Sequence, residues 1–459
     1  MTRGNRRTLL IIPPYLNADG SPCDAQDYCP HLGIVSLATF LRANGEAADL
    51  LDATSYLKVE EAASAPYSVI GITCFTATRE AALKCAEIAK RKNPGALILL
   101  GGPHATALAR EILLRCSFVD AVVAGEGEIS LLQVVRSPEK YREVPGVVFR
   151  DDMGVPRANL KPPPAFLEDI PFPDLNLLDL NRYVFSTNFL GHRDPRWIHF
   201  ITGRGCPGHC VFCSTPYIWG SNIRHYGCDI VMEQIIKLKD QYAIDGIFFF
   251  DDTFNSDPAW VEEFCRQYIV KDIKLPWWCI GRVDSVTSGM LQLMRKAGCV
   301  AIKYGVECGS DRMLRRIGKK ITIAQVRKSI ALTKDAGILS GAGFILGLPG
   351  EKKEEMRETV DFLLELDVDM FSLNVPWILP GTGLFRTAKS EGKIDEGSYF
   401  HSVTRHSKNH PCRRESVPIY YPDPFSESEF LNYTEQLYKE ASEHYQTKME
   451  HVREILQEA

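Results

Sequence analysis

The feature that most constrains this chain is a loop with three cysteines in eight positions, Cys206, Cys210 and Cys213, spaced C-x3-C-x2-C. A strand-like run at residues 197–201 precedes it, and glycines on both sides of the first cysteine allow a tight turn. Such a loop can bring three thiolates onto one cluster. A structural zinc or an ordinary electron-transfer cluster takes four ligands. Because a fourth local ligand is missing, the loop predicts a [4Fe–4S] cluster with one iron open to another ligand.

The cysteine spacing and the aromatic residue before the last cysteine, Phe212, resemble the radical S-adenosylmethionine (radical SAM) superfamily. The resemblance implies that the amino and carboxylate groups of SAM chelate the open iron. It also implies that one electron from the cluster cleaves SAM to a 5′-deoxyadenosyl radical. The alternatives are a zinc site completed by His209 or by a distant cysteine, and a purely structural cysteine trio.

Length, charge and cysteine content narrow the class of protein. A chain of 459 residues predicts two or three domains. The net charge of −5 gives no general attraction to nucleic acid or to an anionic membrane. No apolar run reaches the roughly 18–20 residues of a membrane span, and Leu9–Ile12 is too short for a signal peptide. Fourteen cysteines without a secretion signal indicate reduced thiols, and therefore a cytoplasmic enzyme.

Residues 1–149 alternate short apolar runs with amphipathic ones. This pattern predicts βαβ units that form a parallel sheet, with ligands at the carboxyl ends of its strands. The predicted strands are Thr8–Ile12, Ala48–Asp52, Val69–Thr73, Leu97–Leu100, Ala121–Ala124 and Gly146–Phe149, and the predicted helices are Leu32–Asn44, Thr78–Arg91 and Ala107–Cys116.

Three loops of this first domain have small or polar residues after a strand. In order, they carry Thr73 and Thr76, then Gly101, Gly102, Pro103 and His104, then Gly125, Glu126, Gly127 and Glu128. Taken singly, paired glycines after a strand are ordinary turn residues. Their order and spacing, with the entry to the first helix at residues 29–33, resemble the cobalamin-binding domain found ahead of many radical SAM domains. The resemblance therefore implies a Rossmann-like domain in which these residues bind cobalamin.

The first loop of this domain departs from one group of cobalamin proteins. It lacks the D-x-H-x-x-G motif whose histidine ligates cobalt, because Leu32 and Gly33 directly follow His31. We therefore expect no histidine ligand to cobalt, and we expect His31 to begin a helix that packs on the sheet. A domain that keeps the fold but has lost cobalamin is the alternative.

Residues 150–196 are rich in proline, as in 161–164 and 171–173. Proline at this density excludes long helices and central strands, so the segment predicts an extended, semi-rigid linker. The run at 170–173 also resembles the connector of the same family.

In residues 197–385 the alternation of strands and helices resumes. Six strand–helix units predict a partial (β/α)6 barrel of the TIM type, with its active site at the carboxyl ends of the strands. The strands after the first are predicted at Ile247–Phe250, Trp277–Gly281, Ala301–Val306, Leu339–Ile345 and Met370–Val375, and helices at Ser288–Ala297, Ile323–Ala336 and Glu354–Leu366.

Polar residues at these strand ends are the candidate SAM contacts. Taken alone, a strand-end acid often only caps the next helix. The residues 304–310 resemble the ribose-contact motif of the family, although Cys308 replaces its usual serine. Residues 343–350 resemble the motif that flanks adenine, and Asp251 and Asp252 stand where the family holds the SAM amino group. By this resemblance the candidate SAM contacts are Asp251, Asp252, Arg282, Glu307, Cys308, Gly309, Gly347, Leu348 and Pro349.

Residues 386–459 predict a small, mostly helical C-terminal region, with a helix from Asp423 to Ala459. A basic segment at 401–414 precedes this helix. It predicts a solvated loop or, alternatively, a loop over the barrel mouth that contacts an acidic substrate.

A cobalamin-binding domain ahead of a radical SAM barrel resembles the cobalamin-dependent radical SAM enzymes. Most of these are methyltransferases that act on unactivated carbon or on phosphorus. The resemblance implies a small-molecule substrate, an electron donor such as flavodoxin or ferredoxin, and no nucleic-acid partner. The alternatives are a rearrangement, oxidative cyclisation or ring contraction without methyl transfer, and a cobalamin or redox sensor.

Overall fold

The computed structural model describes residues 7–15, 30–183, 196–395, 397–401 and 417–458. Two mainly parallel sheets with helices around them make up most of this part of the chain, as the alternating pattern predicts. The predicted fold class, a Rossmann-like domain followed by a partial barrel, is confirmed. The basic segment lies almost wholly outside the described residues, as does most of the first loop of the N-terminal domain.

The first sheet has seven strands in the order β2-β1-β3-β4-β5-β6-β7. The first five strands pair in parallel, whereas β6 pairs antiparallel with β5 and β7 pairs antiparallel with β6. Strand β3 is buried along its whole length, which explains its uninterrupted apolar sequence. The strands are β1 (Arg7–Ile12), β2 (Ala47–Asp52), β3 (Val69–Thr73), β4 (Leu97–Gly101), β5 (Ala121–Val123), β6 (Val147–Arg150) and β7 (Pro156–Ala158).

The second sheet is the partial barrel, with six parallel strands in the order β15-β14-β13-β12-β11-β8. A two-stranded antiparallel hairpin, β9 with β10, follows its first strand. The strands are β8 (Trp197–Phe200), β9 (Gly203–Arg204), β10 (Arg224–His225), β11 (Gly246–Phe249), β12 (Trp277–Gly281), β13 (Cys299–Glu307), β14 (Leu339–Ile345) and β15 (Met370–Asn374).

The helices begin at capping residues that the sequence supplies. Thr322 and Gln325 form a capping box at α12, and Asp257 caps α9 ahead of a proline. The helices are α1 (Leu32–Ala43), α2 (Tyr56–Ala63), α3 (Arg79–Lys92), α4 (Pro103–Ala107), α5 (Ala109–Arg115), α6 (Glu128–Arg136), α7 (Thr215–Ile218), α8 (Cys228–Tyr242), α9 (Pro258–Val270), α10 (Ser288–Lys296), α11 (Asp311–Arg316), α12 (Ile323–Asp335), α13 (Lys353–Glu365), α14 (Gly383–Ser390), α15 (Ser398–His401) and α16 (Glu427–Glu458).

The two sheets are held together from both sides. On one side, buried leucines of the segment between the sheets join a continuous core with both, and its residues 156–158 add strand β7 to the first sheet. The first sheet thus extends past the boundary predicted at residue 149. On the other side, Tyr399 packs on the first domain, where its carbonyl accepts a hydrogen bond from Arg79 at 2.9 Å. The carboxyl ends of the two sheets therefore face a common space.

Within the described ranges, no helix combines the length and the apolar composition needed to cross a bilayer.

Candidate functional site

The cysteine loop follows β9 and is fixed by neighbouring backbone. The Val211 amide donates to the Ile317 carbonyl at 3.0 Å, and the Val211 carbonyl accepts from the Leu384 amide at 2.7 Å. Gly205 has φ of +102°, and a Cβ there would lie 2.3 Å from the Asn222 carbonyl oxygen, so only glycine fits beside β10. All three cysteines of the loop are half-buried.

Two of the three thiols, those of Cys206 and Cys210, lie close to Gly208. A Cβ on this glycine would lie 3.4 Å from Cys206 Sγ, 3.8 Å from Cys210 Sγ and 3.1 Å from Arg282 Nη1. In the described part of the chain, no three His, Cys, Asp or Glu side chains converge closely enough to hold a single metal ion. In a [4Fe–4S] cube three of the irons each take one cysteine thiolate, so the sulfur atoms need not share one centre as the ligands of a tetrahedral zinc do.

Two cations lie beside the sulfur atoms. Arg282 is held by Asp284 through two hydrogen bonds of 2.9 and 2.7 Å, and Lys319 Nζ donates to Glu307 Oε1 at 2.7 Å. Burial raises the pKa of Cys210 to about 11, while Lys319 and Arg282 oppose that shift. These cations favour the thiolate form, which is the form that ligates iron.

Glu307, a predicted ribose contact, lies at the end of β13 in a strained conformation. Its φ is +80°, and the pairing of β13 with β14 shifts register between Gly305 and Glu307. Such a backbone costs about 1–3 kcal/mol and persists where the surroundings fix it. Here the Lys319 ion pair fixes it and directs the carboxylate toward the cysteine loop.

The two predicted strand-end acids have different surroundings. Asp251 is buried, and its Oδ1 accepts from the Thr202 amide at 2.9 Å, the Thr202 hydroxyl at 3.0 Å and the Gly203 amide at 2.6 Å. It therefore fixes the start of the cysteine loop. Asp252 faces the large cavity described below and accepts from the Thr215 hydroxyl at 2.7 Å. Of the two, Asp252 is the one placed to contact a ligand.

Replacing Asp251 tests its role through the pH dependence of stability. Burial raises the pKa of Asp251 to about 7. The same carboxyl has a pKa of about 3.9 in the unfolded chain. The contribution of protonated Asp251 to the free energy of unfolding is therefore complete below about pH 4 and is lost as the pH rises through about 7. We expect Asp251→Asn, which keeps an acceptor oxygen, to remove this loss in urea unfolding measured between about pH 5 and about pH 7.5.

The control is Asp251→Ala, which leaves the buried amides of Thr202 and Gly203 without their acceptor. We expect it to lower the free energy of unfolding by about 3 kcal/mol or more at either pH. Equal pH profiles for wild type and Asp251→Asn would contradict the assignment of the proton to this carboxyl.

A cavity of about 770 Å³ lies between the carboxyl ends of the first sheet and the barrel mouth. Gly102 forms a tight turn at the cavity wall, where its φ is +90°. A Cβ at this position would lie only 3.0 Å from the Cys74 carbonyl oxygen. The predicted residues that line the cavity are Thr73, Gly101, Gly102, Pro103, Gly125, Glu126, Gly127, Glu128 and Asp252. Three glycine- or threonine-bearing loops of the first domain thus meet on one surface, which the barrel covers.

A buried ion-pair network joins the two domains at the edge of this cavity. Arg204, two residues before the first cysteine, donates to Glu126 Oε2 at 2.9 Å and to Glu128 Oε1 at 2.7 Å. Ser36 Oγ also donates to Glu128 Oε1 at 2.8 Å, and Arg224 pairs with Glu126. Burial alone would raise the pKa of Glu128, but Arg204 lowers it below its usual value. The two glutamates of the Gly-Glu-Gly-Glu run therefore bind arginines of the barrel hairpin.

Other predicted contacts lie away from the cavity. Cys308 is fully buried, and a Cβ on Gly309 would lie 2.6 Å from the Thr359 Cα, so Gly309 packs on α13. The turn Gly347–Pro349 packs on α16, because a Cβ at Gly347 would lie 2.4 Å from the Phe430 ring. Glu351 accepts from the Gly347 and Leu348 amides at 2.6 and 2.8 Å.

Four further residues named in the sequence analysis contact other parts of the protein. His104 Nδ1 lies 3.2 Å from Thr76 Oγ1, and both side chains are buried behind the cavity wall. Phe212 packs between the cores of the two domains. His31 directly precedes α1 and is buried, as expected, with its ring 4.8 Å from that of Phe75.

Comparison with known proteins agrees with both halves of the site. The sequence model of the radical SAM superfamily matches residues 200–363, and the sequence model of the B12 binding domain matches residues 24–135. The chain is therefore an enzyme of the radical SAM superfamily that carries a B12 binding domain, the cobalamin-dependent radical SAM class. The cofactors of this class are a [4Fe–4S] cluster, SAM and cobalamin, and the three thiols and the shared cavity fit them.

Individual relatives span most of the chain. An uncharacterized methyltransferase of Pyrococcus horikoshii is 29% identical over 394 residues, 83% of this chain and 83% of that protein. An anaerobic magnesium-protoporphyrin IX monomethyl ester cyclase of Rubrivivax gelatinosus is 26% identical over 92% of this chain and 75% of its own length. The structure of the radical SAM methyltransferase TsrM of Kitasatospora setae, with cobalamin and [4Fe–4S] bound, superposes with a TM-score of 0.71 at 17% identity, over 94% of this chain and 91% of that one. This last likeness shows a shared fold.

Proposed function

We propose that this chain is a methyltransferase that modifies an unactivated carbon or phosphorus centre of a small molecule. The observation that carries the proposal is the shared cavity, because cobalamin-domain loops and barrel residues form its walls together. A substrate in the cavity can therefore meet both cofactors. When bound, SAM at the cluster supplies a hydrogen-abstracting radical, and cobalamin supplies a transferable methyl group.

The residues of the chain then bind, orient and exclude water. We propose that Cys206, Cys210 and Cys213 hold the cluster, with Arg282 and Lys319 compensating its negative charge. Glu307 and Asp252 are the acids placed to contact SAM or substrate. The loops at Thr73, Gly101–Pro103 and Gly125 provide a surface for the corrin. Positioning of this kind is the contribution a protein makes to cofactor chemistry.

Two rival functions remain testable. The Rubrivivax relative is named as a cyclase, so cyclisation or rearrangement without methyl transfer is the second candidate. A sensor would bind the cofactors without cleaving SAM.

The deciding experiment uses anaerobically reconstituted protein, reductant and SAM with a trideuterated methyl group, incubated with a small-metabolite extract. We expect a product that gains the labelled methyl, with both 5′-deoxyadenosine and S-adenosylhomocysteine formed. Deoxyadenosine and an unlabelled altered product would identify the rival reaction. No SAM cleavage under reduction would identify a sensor.

The remaining partners follow from the same chemistry. We propose a flavodoxin or ferredoxin as electron donor, and a reducing, cytoplasmic setting that keeps the cluster thiols available. The net charge of −5 favours a small-molecule substrate over nucleic acid.

A further inference from the structure

The floor of the cavity lies inside the barrel and is aromatic. Phe250 leaves 43% of its surface exposed there, and its ring lies 5.2 Å from Phe248, which stacks on Trp278 at 3.6 Å. His199 closes this aromatic group, with its ring 5.6 Å from Phe250. An exposed aromatic ring in the wall of a large, mostly apolar cavity indicates a binding surface for a flat, apolar body.

One lysine projects into the same part of the cavity. Lys303 lies on β13 and is half-buried, and its stem runs beside glycines of β14. A Cβ on Gly341 would lie 3.3 Å from the Lys303 Cα, and one on Gly343 would lie 3.7 Å from its Cε. Because Gly341 and Gly343 have no side chains, the lysine side chain can occupy the space beside them.

The charge of Lys303 suits an anion. Burial lowers the pKa of Lys303 to about 8, and the Glu307 carboxylate opposes this shift, so the ammonium form predominates at neutral pH. In a mostly apolar cavity a charge-assisted hydrogen bond to an anion is stronger than at an exposed surface.

The cations placed to contact SAM lie in another part of the site. Arg282 and Lys319 lie beside the cysteine sulfurs, where the chelating end of SAM would sit. Lys303 instead shares the cavity floor with Phe250 and Ile280.

We propose that the substrate is a flat, mainly apolar molecule with a carboxylate or similar anionic group, whose acidic end binds Lys303 while its body covers Phe250. This deepens the proposed function by naming its substrate class. The binding surface itself is independent of which reaction follows.

The test measures binding of naphthoate and of its neutral isostere naphthamide to the reconstituted holoenzyme by equilibrium dialysis. We expect naphthoate to bind about tenfold more tightly than naphthamide. Lys303→Met should remove that preference and leave naphthamide binding unchanged, whereas Lys303→Arg should keep it. Phe250→Ala should weaken both ligands. The exposed Lys239 provides the control, and Lys239→Met should change neither affinity.

Three results would overturn the proposal: equal wild-type affinities for the two ligands, equal loss of both in Lys303→Met, or a loss of SAM affinity in that variant. The last would assign Lys303 to SAM. SAM cleavage and cobalamin uptake, measured on the same preparations, report separately on the proposed function.

Discussion

Replacing Arg204 by methionine is expected to lower the free energy of unfolding by about 3–5 kcal/mol, because it leaves Glu128 buried without its cation. The side chains of Arg204 and Glu128 are only 8% and 4% exposed. Removing both charges with Arg204→Met and Glu128→Gln together should recover most of the loss, since no unpaired charge then remains. Urea unfolding of the two single variants and the double variant measures this coupling.

The control for Arg204 is an exposed arginine in an ion pair of similar length. Arg266 donates to Glu262 within α9, with side-chain exposures of 64% and 55%. Arg266→Met should cost no more than about 0.5 kcal/mol, because exposed pairs of this kind contribute little. Equal losses at Arg204 and Arg266 would show that the interdomain network adds nothing beyond an ordinary surface pair.

The network also makes a geometric prediction. Arg204 lies two residues before Cys206, so its bonds to Glu126 and Glu128 set the cysteine loop against the first domain. In Arg204→Met we expect the magnetic coupling between cob(II)alamin and the reduced cluster to weaken. In electron paramagnetic resonance spectra, the lines split by this coupling should become broader. Iron and cobalamin contents should stay near wild type. A purely local packing role would leave the coupling unchanged.

Central strands of both sheets could be predicted from the sequence because they are buried on both faces. Val69–Thr73, Trp277–Gly281 and Leu339–Ile345 have the bounds predicted for them. Short, mostly apolar runs bounded by glycine or polar residues mark such strands. The short edge strand β7 lacks this signal. Strand β7 lies in the proline-rich segment, where three residues pair only with β6, and neither the strand nor the docking of the segment was predicted.

The candidate site was predictable where its members are close in sequence. Cys206, Cys210 and Cys213 carry their spacing in one loop. Lys319 gave no such signal, because its partner Glu307 is 12 residues away and on another element. The acids of the Gly-Glu-Gly-Glu run line the cavity, yet their partners Arg204 and Arg224 come from 76 and 98 residues further along. Pairings across domains depend on docking, which local patterns do not encode.

Replacing Cys210 by alanine is expected to reduce bound iron to a small fraction of the wild-type content and SAM cleavage to background. Two thiolates cannot retain a cube that needs three protein ligands and leaves one iron for SAM. Cobalamin uptake should persist, because Cys210 is not among the residues that line the cavity. Iron and sulfide analysis, deoxyadenosine formation and the visible spectrum of bound cobalamin measure these three properties on one preparation.

Cys308 is the matched control within the same barrel. The resemblance predicts it as a SAM contact, whereas the structure buries it completely, with Sγ 4.0 Å from the Ser310 carbonyl oxygen. Cys308→Ala should therefore keep iron content, SAM affinity and SAM cleavage, at a cost of about 1 kcal/mol in unfolding free energy from the small cavity left behind. A folded Cys308→Ala protein that binds iron but no longer binds SAM would show that Cys308 contacts SAM, against this prediction. Intact SAM cleavage in Cys210→Ala would contradict the assignment of the cluster to the cysteine loop.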